Sequence, residues 1–375
     1  MSEAPGRTQT PSHGPSDVPG PAPIGATWEL VETIDDGEVL DVAKGPSGWV
    51  AGGWVKCPHP GCRGAAAATW FSPDGISWTG GPISDGAGAP IVTVATDGDR
   101  WFAAGVGSEG DGDNARLKAL IWRSAHGRDW RLVGSIPLGP PSKGVGSVGQ
   151  LVAGPSGVIL TRVDPEDPDH PERSTVYWSE NGTTWLPIDK AIFGLSPDGF
   201  GLSTAIVVDG RFVVVGTNDA GTVWSSSDGR DWTLDASFGA SAGVGVASDG
   251  RRVMVVDEQC AADCEFRIWI SEDGRTGWTR SPQVLGVGEP WVAYAAGTFI
   301  VAGEIDGGDD ANRGVHIFTS PDGTTWTEFK TDLLLDSCYT AALVGAEDRV
   351  VLAGDEACSG IWVSRAPGAV STRLP

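Results

Sequence analysis

The sequence predicts an all-β protein: a seven-bladed β-propeller of four-stranded antiparallel blades, the last blade closed by the N-terminal strand. Three observations carry this prediction. A seven-residue pattern, seen as Ser320-Pro321-Asp322-Gly323-Thr324-Thr325-Trp326, recurs with starts at Ser72, Ser124, Ser179, Ser226 and Ser271. The interval is roughly fifty residues, the mark of a repeat architecture. The residue two before each starting Ser is always aromatic: Trp70, Trp122, Tyr177, Trp224, Trp269 or Phe318. Finally, seven apolar strands each follow a turn signal, so there are seven first hairpins but only six complete second ones.

The elements follow in order. Ala26-Thr27-Trp28-Glu29-Leu30 reads as an outer strand with no hairpin before it. Blade one opens with Gly45-Pro46-Ser47-Gly48 turning into Trp49-Val50-Ala51-Gly52, and its Ser72–Trp78 segment forms the second turn. Asp supplies acceptors to turn amides and Gly supplies positive φ. Blades two to six repeat this, with turn signals at Asp97-Gly98, Gly154–Gly157, Asp209-Gly210, Asp249-Gly250 and Ala296-Gly297. His126 replaces Asp in the second copy, Asn181 replaces it in the third, and the fifth, Ser271–Trp278, carries one extra residue. The seventh unit has Ile361-Trp362-Val363-Ser364 and then ends, so the N-terminal strand completes it and closes the ring. Residues 1–25, rich in Pro, Ser and Gly, read as a flexible linker; 26–366 form the propeller and 367–375 a tail.

The recurring Ser-x-Asp-Gly-x-x-Trp turn resembles the Asp-box (BNR) repeat of sialidases and many other propellers, over about residues 26 to 366. The resemblance implies that these turns join the third and fourth strands, on the face away from the ligand site, and that their Asp, Gly and Trp are structural. It does not extend to the sialidase catalytic set. That set needs an arginine triad, a Tyr activated by a Glu, and an Asp. No Arg-Ile-Pro occurs, no arginine lies between Arg7 and Arg63, and Arg63, Arg116, Arg173, Arg267 and Arg313 form no recognisable triad.

Net charge is −23, from 49 acidic and 26 basic residues, without a basic cluster. That argues against nucleic acid and anionic membrane surfaces as partners. The expectation is a monomer that takes a glycan or protein ligand and inserts into no membrane. Most of the 17 tryptophans fall in the two repeat registers, leaving Trp49, Trp54, Trp101, Trp178 and Trp291 for other work. The six cysteines form local pairs, 57 with 62, 260 with 264 and 338 with 358, which points to disulfides and an oxidising compartment. A rival reading of Cys57-Pro58-His59-Pro60-Gly61-Cys62 is zinc, but no fourth ligand is near. A secreted or surface-tethered location is expected, although the chain shows no export signal of its own.

Loops from strand two to three and between blades share the face opposite the Ser-x-Asp-Gly turns. Their acidic stretches make Asp111, Asp113 and Asp309 candidates for Ca²⁺, without EF-hand spacing, and no other cofactor is implied. The blade-to-blade loops lead to the axis and bring Asp36, Glu38, Lys143, Glu289, Trp291, Asp336 and Tyr339, with Tyr294 further along its strand. Asp36, Glu38, Lys143, Glu289, Trp291 and Tyr339 are the candidate ligand-binding residues, a set suited to a polar or sugar-like ligand. The first expectation is a non-catalytic extracytoplasmic binding module. The alternative is a glycoside hydrolase using Glu38, Glu289 or Asp336, which requires two carboxyls across one pocket.

Overall fold

The computed structural model describes residues 23–57, 65–87, 89–109, 116–139, 147–163, 174–193, 200–218, 220–239, 242–260, 264–285, 288–304, 315–331, 340–354 and 359–368. They form seven four-stranded antiparallel sheets. Six are local in sequence and span 37–87, 91–139, 147–187, 200–237, 242–285 and 288–330. The seventh combines Thr340–Gly345, Arg349–Gly354 and Gly360–Arg365 with the N-terminal strand Glu29–Thr33. Glu29 pairs with Val363 and Thr33 with Gly360, so the predicted closure between the chain ends is present. Each innermost strand touches those of both neighbouring blades, which completes the ring.

Why the second strands read as unbroken apolar runs is clear from the packing. Successive side chains on a strand point to opposite faces, and both faces of each blade are covered. In Phe212-Val213-Val214-Val215, Phe212 and Val214 pack toward blade three, while Val213 and Val215 pack toward blade five. Each blade-to-blade interface is thus its own buried cluster, and blades six and seven share one in which Ile24 is 4% exposed. The backbone N–H of Gly25 also donates to Ser364 Oγ at 2.7 Å. Among the described residues packing reaches back to Ile24, within the 1–25 stretch read from composition as a linker.

The recurring turns join third to fourth strands in blades one to six, as expected. Their glycines all have positive φ, from 66° at Gly274 to 80° at Gly182. Asp322 shows the local logic. Its Oδ1 accepts from the N–H groups of Thr324 and Thr325 at 2.8 and 2.9 Å, and Ser320 Oγ accepts from Gly323 N–H. The Trp326 indole N–H donates back to the Gly323 carbonyl at 3.2 Å. A Cβ on Gly323 would fall 2.4 Å from Ile270 of blade five, so the glycine also permits the blades to approach.

Cys260 and Cys264 are directly opposed in the register of blade five's second and third strands. Cys57 is disulfide-bonded, and Cys62, the partner expected from sequence, lies outside the described residues. Cys338 and Cys358 lie outside them too. Among the described residues no helix is long and apolar enough to cross a membrane.

Candidate functional site

Every innermost strand carries a register irregularity near its start: between Val39 and Asp41, Ile91 and Thr93, Val148 and Leu151, Leu202 and Thr204, Gly243 and Gly245, Gly288 and Trp291, and Thr340 and Ala342. A bulge bends the strand and re-aims the side chains beside it. Here seven of them ring an axial channel of about 520 Å³, walled by the innermost strands of all seven blades.

The channel wall is polar on one side. Asp41 Oδ1 accepts from Val42 N–H at 2.7 Å, and Oδ2 accepts from Val94 N–H of the next blade at 2.8 Å. Thr93 Oγ1 then accepts from Leu151 N–H at 3.1 Å, and Gln150 Oε1 accepts from Ala205 N–H at 2.6 Å. Blades one to four are stitched together by side chains at their bulges, whereas blades five to seven place Gly245, Trp291 and Ala342 there. Burial pushes the Asp41 carboxyl up to about 6, against the lowering effect of the Val94, Thr93 and Val42 donors.

Two crevices open on the loop face around the channel mouth. The larger, about 530 Å³, lies where blade seven meets blade one and is lined by Asp35, Asp36, Glu38, Trp54, Lys56 and Ser359. Asp36 takes a left-handed conformation, φ 53°, in the turn leading into the innermost strand, and its carbonyl accepts from Lys56 N–H at 2.6 Å. Glu38 stands directly opposite Trp54 across the strand pair, and its Oε2 accepts from the Trp54 indole N–H at 2.9 Å. Glu38 is thereby turned onto its own blade's second strand. The second crevice, about 310 Å³, is formed by Val244, Glu258, Phe266, Pro290 and Trp291 between blades five and six.

Of the residues singled out from sequence, Asp36 and Glu38 are brought together, and Trp291 sits in the other crevice. Glu289 belongs to the innermost strand Gly288–Ala295. Tyr294 lies near the far end of that strand with its ring edge-on to Phe299, centroids 5.0 Å apart. Lys143, Asp336, Tyr339, Asp111, Asp113 and Asp309 fall outside the described residues. Among the described residues no group of three or more metal-ligating side chains converges. Arg267 is locked in a buried pair with Asp257, with contacts of 3.1 and 2.6 Å. Trp54 and Asp41 were not singled out as site residues. Trp54 is flagged only as a tryptophan outside the repeat registers, and nothing in the sequence marks Asp41.

No protein-family model matches the chain, and no curated protein matches it. Solved structures do. The β-propeller domain of the Trilobed protease from Pyrococcus furiosus aligns with a TM-score of 0.52 and 10% identity over 88% of this chain and 93% of that one. Acylaminoacyl peptidase from Pyrococcus horikoshii aligns at 0.51 with 10% identity over 91% of this chain and 54% of its own. Trypanosoma rangeli sialidase in complex with the inhibitor DANA aligns at 0.46 with 10% identity, covering 89% and 55%. The chain spans about half the length of the sialidase and the peptidase. At such identities the likeness is one of fold.

Proposed function

We propose that this propeller is a non-catalytic binding module that takes a glycan in the crevice between blades seven and one. The recurring turns are then Asp-box repeats serving as scaffold, and the disulfide at Cys57 supports an extracytoplasmic setting. The observation that carries the reading is the Glu38–Trp54 pair. The indole N–H is satisfied by the carboxylate, so the ring is held in one orientation and can serve as an apolar platform. Asp35, Asp36 and Lys56 surround it with acceptors and one donor for hydroxyl groups. An apolar face with a few convergent polar groups is the usual composition of a small-ligand site. A glycan array tests this: the wild-type chain should retain a defined set of glycans, and Trp54→Ala and Glu38→Ala, which removes the acceptor that holds the indole, should each lose them. Retention by both variants would contradict it.

One observation favours a second reading, a glycoside hydrolase. A carboxyl pushed up to about 6, as in Asp41, suits a general acid. Such an enzyme needs a second carboxyl about 5–9.5 Å away, and among the described channel-wall residues Asp41 is the only carboxylate. Turnover of a fluorogenic glycoside that disappears in Asp41→Asn would favour the hydrolase.

A further inference from the structure

The turn of blade two, Ser124–Trp130, departs from its counterparts in ways that converge on one place. In four other turns an aspartate Oδ1 accepts from two successive backbone N–H groups. These are Ile76 and Ser77 on Asp74, Arg230 and Asp231 on Asp228, Arg275 and Thr276 on Asp273, and Thr324 and Thr325 on Asp322, all at 2.8–2.9 Å. In blade two His126 stands at the aspartate position. Ser124 Oγ still accepts from the N–H groups of His126 and Gly127. The N–H groups of Arg128 and Asp129, however, have no acceptor among the described residues.

The flanking strands differ as well. Arg123 is directly opposite Arg131 in the register. The same pair position holds Phe71 with Thr79, Ser225 with Thr233, Ile270 with Thr279 and Thr319 with Thr327 in other blades. Like charges directly opposed weaken a strand pair, so the arginines call for something between them. Arg123 has only a 3.4 Å contact to the Asn181 carbonyl, and Arg131 is exposed with no ion pair among the described residues. Together with Arg100, His126 and Asp129 they line a cavity of about 530 Å³. Arg100 is held by Asp97 at 2.6 Å, and Asp129 is the only carboxylate among the described residues lining the cavity. In a chain of net charge −23 this is a concentration of guanidinium groups against the background.

We propose that this cavity binds a single oxyanion group (sulfate, phosphate or carboxylate), seated between Arg123 and Arg131 with an oxygen toward the vacant amides of Arg128 and Asp129. The molecule itself shows that this turn accepts a carboxylate oxygen. Where Asp is present the turn stabilises the charge: the amides of Thr276 and Arg275 hold Asp273 well below the usual carboxylate range, and those of Thr325 and Thr324 do the same for Asp322. An imidazole at 126 brings no negative charge to repel a ligand anion, and guanidiniums match oxyanions with paired donors. The site lies on the face opposite the Trp54 crevice and stands independently of what binds there.

The test is titration of the full chain with sodium sulfate, sodium phosphate and sodium acetate at constant ionic strength kept by sodium chloride, following the backbone amide resonances of residues 126–131. Saturable shifts at Arg128 and Asp129 are expected, and the three anions show which geometry the site prefers. His126→Asp supplies the carboxylate found in the other turns, so it should fold, melt higher and bind the anion at least about tenfold more weakly. Arg131→Gln should weaken binding similarly, and Asp129→Asn should strengthen it. Shifts that follow ionic strength alone would overturn the proposal. So would undiminished binding in His126→Asp, which would mean an adventitious ion only.

Discussion

Asp74 illustrates what one side chain does in a turn. Its Oδ1 accepts from Ile76 N–H, Ser77 N–H and Ser72 Oγ–H, the same economy as a helix N-cap. Asp74→Ala should cost about 1–2 kcal/mol, measured by denaturant unfolding. Asp273 and Asp322 are depressed in the folded state. Their contribution is therefore present above the unfolded carboxylate pKa and is lost as pH falls below about 4. Asp41 works the other way. Its folded value, raised to about 6, means that its stabilising contribution is full below about 4 and lost as pH rises through 6. Comparing wild type with Asp41→Ala by thermal melts should show the difference between them changing across pH 4–6; a constant difference would contradict this. Glu38 was legible as a candidate because it follows a blade-to-blade loop. Its partner Trp54 lies sixteen residues away, and only the strand register reveals the pairing. The role of Asp41 depends on a bulge, which leaves no mark in residue type.

At the scale of elements, neighbouring blades are joined by arginines that reach the next turn. Arg349 donates to the Asp74 carbonyl at 2.5 Å, Arg211 to that of Asp273 at 2.6 Å and Arg252 to that of Pro321 at 3.1 Å. Arginines within the turns reach back to the preceding blade. Arg230 lies over the Trp178 ring at 3.6 Å, Arg128 over Phe71 at 4.0 Å, and Arg275 contacts Asp235 at 3.6 Å. Arg349 bridges the seam between the last blade and the first, so Arg349→Ala should cost about 1 kcal/mol in chemical unfolding. The second strands and the third-to-fourth-strand turns were legible because alternation, aromatic spacing and glycine all repeat, whereas the outer N-terminal strand, read at Ala26–Leu30, lies at Glu29–Thr33. The arginine bridges were not, because they join residues a blade apart. The irregular turns have a local signature: the indole N–H groups of Trp130 and Trp278 lack a partner among the described residues, in the copies with His126 and the extra residue.

For the whole molecule, closure depends on both chain ends. Ile24 and Trp28 pack with blades six and seven, and Glu29–Thr33 supplies the last edge. Removing residues 1–33 should expose that interface and an unpaired strand edge, giving aggregation in size-exclusion chromatography; a monomeric, cooperatively unfolding product would show that the closure is dispensable. The repeat count made this architecture legible because seven first hairpins and six second ones admit one closed arrangement. The ligand was not legible, since a rigid ring leaves its loops free to vary and the fold leaves function to the site. The most direct measurement is a calorimetric titration of an array-selected glycan into the wild-type chain and into Trp54→Ala. The predicted result is a binding isotherm with no continuing heat of hydrolysis, weakened about tenfold or more by the substitution. Equal affinity in Trp54→Ala, or heat that continues after each injection, would contradict a binding module centred on Trp54.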